Sequence, residues 1–164
     1  PDPQPVPSIA RVLEEFPELE HLQLEAKPVD AASRGLMAGR LVALFRDFDL
    51  HERATVTSFD RELLRAVRAA DARIALGLVT DRTRPEPLKT ALALGASLLV
   101  LHWKLCTPRR VQEAKAAGLR VSAWTVNDEA VARRLHTLGI DSIVTDFPTR
   151  MIALRHALVA PGNP

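Results

Sequence analysis

Cysteine is all but absent from this sequence. Cys106 stands alone, which excludes an intramolecular disulfide and leaves no set of thiols to hold a structural zinc. An excess of one charge is missing too: 22 Lys and Arg face 20 Asp and Glu, for a formal net charge of +2. The arginines are scattered through the chain instead of gathered into a stripe, so the electrostatic footprint of a nucleic-acid binder is lacking and no such partner is expected. No apolar run approaches the roughly 18 residues that cross a bilayer, so no transmembrane segment is expected. The opening PDPQPVPS is neither basic nor apolar as a signal peptide would be. Together with the lone cysteine this leads to the expectation of a soluble, cytoplasmic protein. The phosphate-binding loops GxGxxG and GxxxxGK[ST] do not occur, and the five histidines (His21, His51, His102, His136 and His156) form no HExxH or other close metal spacing. An initiator methionine is also missing, and an upstream part is expected before Pro1.

What is present is a repeat. The 164 residues, 47% hydrophobic and 26% charged, are in globular proportion, and one domain is expected. Three segments, ALALGASLLVL, AKAAGLRVSAW and HTLGIDSIVTD, share one plan, an amphipathic run that ends in Gly and is followed almost at once by an apolar stretch. Gly95, Gly118 and Gly139 suit the left-handed residue just past a helix end. Thr107 before Pro108, and Asn127 before Asp128 and Glu129, read as helix starts, with Asn127 as the cap of its helix. Earlier segments follow the same plan with less regular spacing. SIARVLEEF has Ile9, Val12, Leu13 and Phe16 on one helical face; a helix follows near 36–47; another starts at Asp60 with Leu63, Leu64 and Val67 inward. Six strands are predicted, near 21–27, 54–58, 73–79, 97–102, 120–126 and 141–145. Strands alternating with helices imply parallel pairing, and the later strands are nearly continuous apolar runs, as expected where helices cover the sheet.

An open doubly wound sheet and part of a closed (β/α)8 barrel both fit this order. Both place ligands beyond the carboxyl ends of the strands. The missing phosphate loops favour the barrel, and a complete barrel usually takes about 250 residues, so an incomplete one is expected, composed of the later βα units. At the predicted carboxyl ends stand Glu25 and Lys27, Ser58, Gly77, His102, Trp124 with Asn127, and Asp146.

In HLQLEAKP, period 2 sends Leu22, Leu24 and Ala26 to one face and Gln23, Glu25 and Lys27 to the other. Glu25 and Lys27 are either a solvated pair on a half-exposed strand or charges aimed at the mouth of a site, where burial without a partner would cost several kcal/mol. Trp124 is either an apolar wall at a strand end or a core residue. Asp146 is either a site carboxylate or the start of a helix, and His102 either lines the site or sits in an ordinary loop. Ser58 lacks a nucleophile elbow and a partner base, which argues against a hydrolytic nucleophile. Met37 and Met151 are too few to mean more than packing.

The ordered set PSIARVLEEFP, LQLEAKP, ATVTSFDRELLRAVR, IALGLV, CTPRRVQEAKAAGLRVSAWTVND and LGIDSIVTDFP resembles the carboxyl-terminal portion of the glycerophosphodiester phosphodiesterases, from about Pro7 to about Leu154. The order of LEAK, SF, AWTVN and TDFP makes the resemblance specific. It implies a phospholipase C-like phosphodiesterase barrel of the (β/α)8, TIM-barrel type. It also implies hydrolysis of small-molecule glycerophosphodiesters to glycerol 3-phosphate and an alcohol, in lipid and glycerol metabolism, with a divalent metal, Mg or Ca. By the match to LEAK, Glu25 is a metal ligand and Lys27 lies beside the phosphate, where its charge would offset developing negative charge. Trp124 matches the aromatic residue expected against the glycerol end of the substrate. Carboxylate oxygens suit a hard cation.

The departures are equally specific. The family's general acid and base histidines lie in an amino-terminal HRG and a later HD, with ExD ligands between them, and none of these motifs occurs here. The expected organisation is therefore a leader or cut linker at 1–6, the carboxyl-terminal part of the barrel at 7–160 and a tail at 161–164, with the histidines and two metal ligands in a missing amino-terminal segment. Two rivals stand beside this reading. One is a non-catalytic truncated barrel that binds or pairs, as a dimer or with the missing segment; the other is a phospholipase D-like barrel acting on choline lipids.

Overall fold

The structure is a computed structural model that describes residues 6–159. Apart from Val6, the expected leader lies outside the described residues, as does the tail at 161–164. The chain divides between Leu76 and Gly77 into two compact units.

The first unit holds α1 (Ile9–Glu15), β1 (Leu22–Glu25), α2 (Arg34–Asp47), β2 (Ala54–Ser58) and α3 (Arg61–Ala70). β1 and β2 are parallel, in register from Leu22 with Ala54 to Glu25 with Thr57. All five residues of β2 are buried, including Thr55, Thr57 and Ser58. Helix α3 is built as its sequence reads: the Asp60 side chain accepts from the amides of Glu62 and Leu63, and Leu63, Leu64 and Val67 are wholly buried. Burial alone would raise the Asp60 carboxyl, but hydrogen bonds from Arg34 and from those two amides outweigh it and hold the carboxyl below its ordinary value. The same Arg34 bond ties α2 to the start of α3. Helix α1 departs from expectation. Only Leu13 of its predicted apolar face is buried, while Ile9 and Phe16 are exposed. The helix is two turns long, with Ile9 at its first position and Phe16 just past its last, so both lie beyond the one row that packs.

Connections at the amino ends of the strands are pinned by charge. Arg53 donates to the carbonyls of Pro17, Leu19 and Phe48. Asp71 accepts from Arg73 and lies 3.0 Å from His51 Nε2, and the Arg73 bonds, with help from His51, hold its carboxyl well below the usual carboxylate range.

β3 (Ala75–Thr80) runs across the division. The second unit continues with α4 (Pro87–Ala93), β4 (Leu98–His102), a 3₁₀ turn (Trp103–Leu105), α5 (Pro108–Ala116), β5 (Arg120–Trp124), α6 (Glu129–Thr137), β6 (Ser142–Ile143) and α7 (Pro148–Val159). From Gly77 onward β3 pairs with β4, β4 with β5 and β5 with β6, all parallel. β6 is shorter than its apolar run predicts, yet pairing continues past it, because the Val144 amide donates to Ala123 and the Val126 amide donates to Val144. Thr107 caps α5 as expected. Asn127 does not cap α6: Asp128 accepts from the Val131 amide, and the Asn127 side chain is engaged elsewhere.

The glycine repeat is a backbone device. Gly95, Gly118 and Gly139 have φ of 63°, 81° and 75°. In each case the residue after the glycine donates back to the last-turn carbonyl five positions before it, as Leu119 does to Ala114, closing a Schellman motif. Helix α2 ends in the same motif with Asp49 at φ 50° in the glycine position and Leu50 donating to Phe45. Asp tolerates the left-handed region better than most residues, so the motif is formed there without its sequence marker.

Candidate active site

The chemistry-bearing side chains fall in both units, at the carboxyl ends of strands, and each unit builds its own group. In the first, β1 stops at Glu25 and Lys27 follows two residues later. Lys27 Nζ donates to Glu25 Oε1 at 2.7 Å, and the two side chains are 76% and 37% exposed. Within the first unit they form a solvated ion pair at a strand end, which answers the burial question: neither charge is desolvated there. Ser58, at the end of β2, donates to the Ala26 carbonyl at 2.6 Å and accepts from the Asp60 amide at 3.0 Å, while wholly buried. Both functions of its hydroxyl are spent on joining the ends of β1 and β2 to the start of α3. It has no role left for a nucleophile.

The second unit gathers aromatic rings. His102 and Trp124 are register partners at the ends of β4 and β5. Their rings meet edge to face with centroids 5.3 Å apart, and Trp103 stacks on His102 at 5.8 Å. Trp124 is half-buried and packs on Val79, Leu98 and Val100, so it is both core and strand-end wall. The peptide bond that follows it is cis. His102 Nδ1 accepts from the Lys104 amide and so caps the 3₁₀ turn, which leaves Nε2 as the ring's donor. Asp146 is exposed and is held by Asn127: its carboxylate accepts from Asn127 Nδ2 at 2.7 Å, and its amide donates to Asn127 Oδ1 at 3.0 Å. Thr145 donates to the same oxygen. Asn127 thus orients the turn carrying Asp146, a role that local helix-start signals hid. Gly77 lies within β3, whose end is Thr80, and drops out of the strand-end set. Trp103 and Lys104 join it. Their place immediately after β4 was the available signal.

Cys106 closes the turn after β4. Burial pushes its thiol up to about 11, against the pull of Arg134 and Arg110 nearby. A thiol at its ordinary value near 9 would carry about 100 times more thiolate at neutral pH. Iodoacetamide labelling of the native protein at pH 7 is therefore expected to run at least about a hundredfold slower than that of a free thiol, with ordinary reactivity restored in urea. Labelling at the free-thiol rate without denaturant would contradict the buried placement.

The metal question has a plain answer for this chain. Among the described residues no group of three or more His, Cys, Asp or Glu side chains is placed to hold a metal ion. A hard cation seeks about six oxygen ligands, and Glu25 offers one carboxylate, already bound by Lys27. These residues do not by themselves fit a metal centre, and no catalytic step is routed through one.

Parallel strands joined by helices, with charged and aromatic side chains at the carboxyl ends, are the layout of βα-barrel enzymes. Residues 3–150 match the model of the glycerophosphoryl diester phosphodiesterase family, and the chain belongs to that family. Its fold is accordingly TIM-barrel-like. A structure from Silicibacter pomeroyi assigned to the glycerophosphoryl diester phosphodiesterases is 27% identical with a TM-score of 0.80, covering 89% of this chain and 54% of that one. A phosphodiesterase of Oleispira antarctica, solved with the product sn-glycerol-3-phosphate, is alike in fold at 23% identity and TM-score 0.78, covering 88% and 58%. A glycerophosphodiester phosphodiesterase of Caldanaerobacter subterraneus is 28% identical over 115 residues, which are 70% of this chain and 47% of that protein. The human glycerophosphocholine phosphodiesterase is also 28% identical, over 87% of this chain and 26% of its own length. The chain thus spans half or less of these two curated relatives.

Proposed function

We propose that this chain is the later part, residues 7–160, of a phosphodiesterase barrel that hydrolyses glycerophosphodiesters to glycerol 3-phosphate and an alcohol. The observation that carries the reading is the Glu25–Lys27 pair at the carboxyl end of β1, in a chain that matches the family model over residues 3–150. In this reading Glu25 would be one ligand of a divalent cation, Mg or Ca, with the other ligands supplied from outside this set of residues. Lys27, solvent-exposed beside Glu25, would face the phosphate and offset the charge that develops as the diester is attacked. Trp124 lies against the glycerol end. Such a cation would supply Lewis-acid chemistry at the phosphoryl group. The general acid and base histidines and the other two ligands come from an amino-terminal segment, and the cytoplasm is the expected location.

A second reading is a non-catalytic binding module of the same fold, in which Glu25 and Lys27 remain the solvated ion pair they form in the first unit. Both readings expect the purified 164-residue chain to show no turnover of glycerophosphocholine or glycerophosphoglycerol with Mg or Ca. Clear turnover abolished by a chelator would overturn the assignment of the acid, base and ligands to another segment. Supplying a segment with HRG, ExD and HD separates the two: restored hydrolysis supports the enzyme, and substrate binding without hydrolysis supports the module.

A further inference from the structure

The turn after β4 carries a surface that the Glu25–Lys27 pair does not use. It runs His102, Trp103, Lys104, Leu105, Cys106, and its carbonyls are clamped from two helices. Arg110 of α5 donates to Leu105 O at 2.6 Å, while Arg134 of α6 donates to Cys106 O at 3.2 Å and to Trp103 O at 3.4 Å. The cap from His102 Nδ1 holds its start. A short turn restrained at five polar atoms is preorganised, and what it displays is Trp103, half-exposed, and Lys104, exposed, with the ammonium 5.5 Å from the Trp103 ring centre.

The charged side chains that make or hold this ledge, Lys104, Arg110 and Arg134, are all cationic. No carboxylate among the described residues lies within ion-pair distance of Lys104, Arg110 or Arg134; the nearby Glu113 pairs with Arg109. A quaternary ammonium placed on the Trp103 face would have to displace Lys104 and sit among three cations. An anion would meet the Lys104 ammonium directly, with the indole face beneath its carbon skeleton.

Resting on the phosphodiesterase reading, we infer that Trp103 and Lys104 select the alcohol half of the substrate, and that they select an alcohol bearing an anionic group over a cationic one such as choline. Trp124 keeps the glycerol end, and His102, between the two indoles, sets their spacing. The ledge is a specificity device and takes no part in bond breaking.

Trp103 and Trp124 are the only two tryptophans in the chain, so intrinsic fluorescence reports on the ledge without any need for hydrolysis. The native chain is titrated with three unphosphorylated alcohols, glycerate, glycerol and choline, at constant ionic strength. Glycerate is expected to change tryptophan emission saturably, and choline to do so at least about fivefold more weakly or not at all. Lys104→Ala, an exposed substitution that leaves the fold intact, is expected to weaken glycerate about fivefold. Trp103→Phe, which keeps an aromatic face, is expected to remove most of the emission change, and Trp124→Phe to preserve the glycerate affinity. No glycerate response, equal or tighter choline binding, or an undiminished response in Lys104→Ala would overturn the inference. Failure of the hydrolytic reading shows separately, as substrate binding without hydrolysis when a segment with HRG, ExD and HD is supplied, with the ledge still binding glycerate.

Discussion

In any preparation of this protein that turns over glycerophosphodiesters with a divalent cation, Glu25→Gln is expected to lower kcat/KM by about 10²–10³. The substitution keeps the shape of the side chain and removes only its charge. A neutral amide is a poor ligand for a hard cation beside a carboxylate, so the loss falls on cation affinity and on the chemical step together. Excess Mg or Ca is expected to recover part of the rate, as befits a ligand defect. Stability is the control. Glu25 and Lys27 are exposed and bonded to each other at 2.7 Å, and an exposed pair contributes about 0–1 kcal/mol, so the variant is expected to unfold within about 0.5 kcal/mol of the parent chain. An unchanged kcat/KM would return the pair to what its geometry shows in the first unit, a solvated salt bridge.

The largest effect on stability is expected from Phe45→Ala, a loss of about 3–5 kcal/mol. Phe45 is wholly buried, is the largest of the fully buried side chains and meets the His51 ring edge to face at 5.6 Å. Its truncation leaves a ring-sized cavity in the first unit, next to the His51–Asp71–Arg73 cluster that pins the amino ends of the strands. Urea unfolding followed by far-UV circular dichroism measures the loss. Phe16→Ala is the matched control: the same atoms leave a half-exposed site, for an expected cost below about 1 kcal/mol. Equal costs for the two variants would contradict the burial that separates them. Both tryptophans lie in the second unit, so fluorescence followed in the same titration tells whether that unit unfolds at the same urea concentration.

Much of the backbone was legible because its markers are local. Helix caps, left-handed glycines and apolar periodicity each act within about five residues, and they located β2, β4, α3 and α5 to within a residue or two. The misses have local causes as well. Asn127 precedes two acidic residues and reads as a cap, but Asp128 beside it does the capping, and Asn127 is drawn to Thr145 and Asp146 some twenty residues on. The end of α2 agrees with the predicted 47, but its closing motif carries no glycine marker, because Asp49 adopts the conformation for which glycine is the usual signal.

The candidate site divides along the same line. From sequence alone came the family resemblance, the strand-end position of Glu25 and Lys27, and the absence of the acid, base and remaining ligand motifs, since these depend on residue type and order. Pairing and burial could only come from tertiary structure. Glu25 meets Lys27 at 2.7 Å in the open, Ser58 spends both hydrogen-bonding functions on the chain, and Trp124 shares its ring contacts with a histidine on the neighbouring strand. The turn after β4 owes its shape to Arg110 and to Arg134, which is 31 residues away from Trp103. Sequence order says which groups a chain owns; which of them touch depends on the packing of segments far apart in it, and no local pattern encodes that distance.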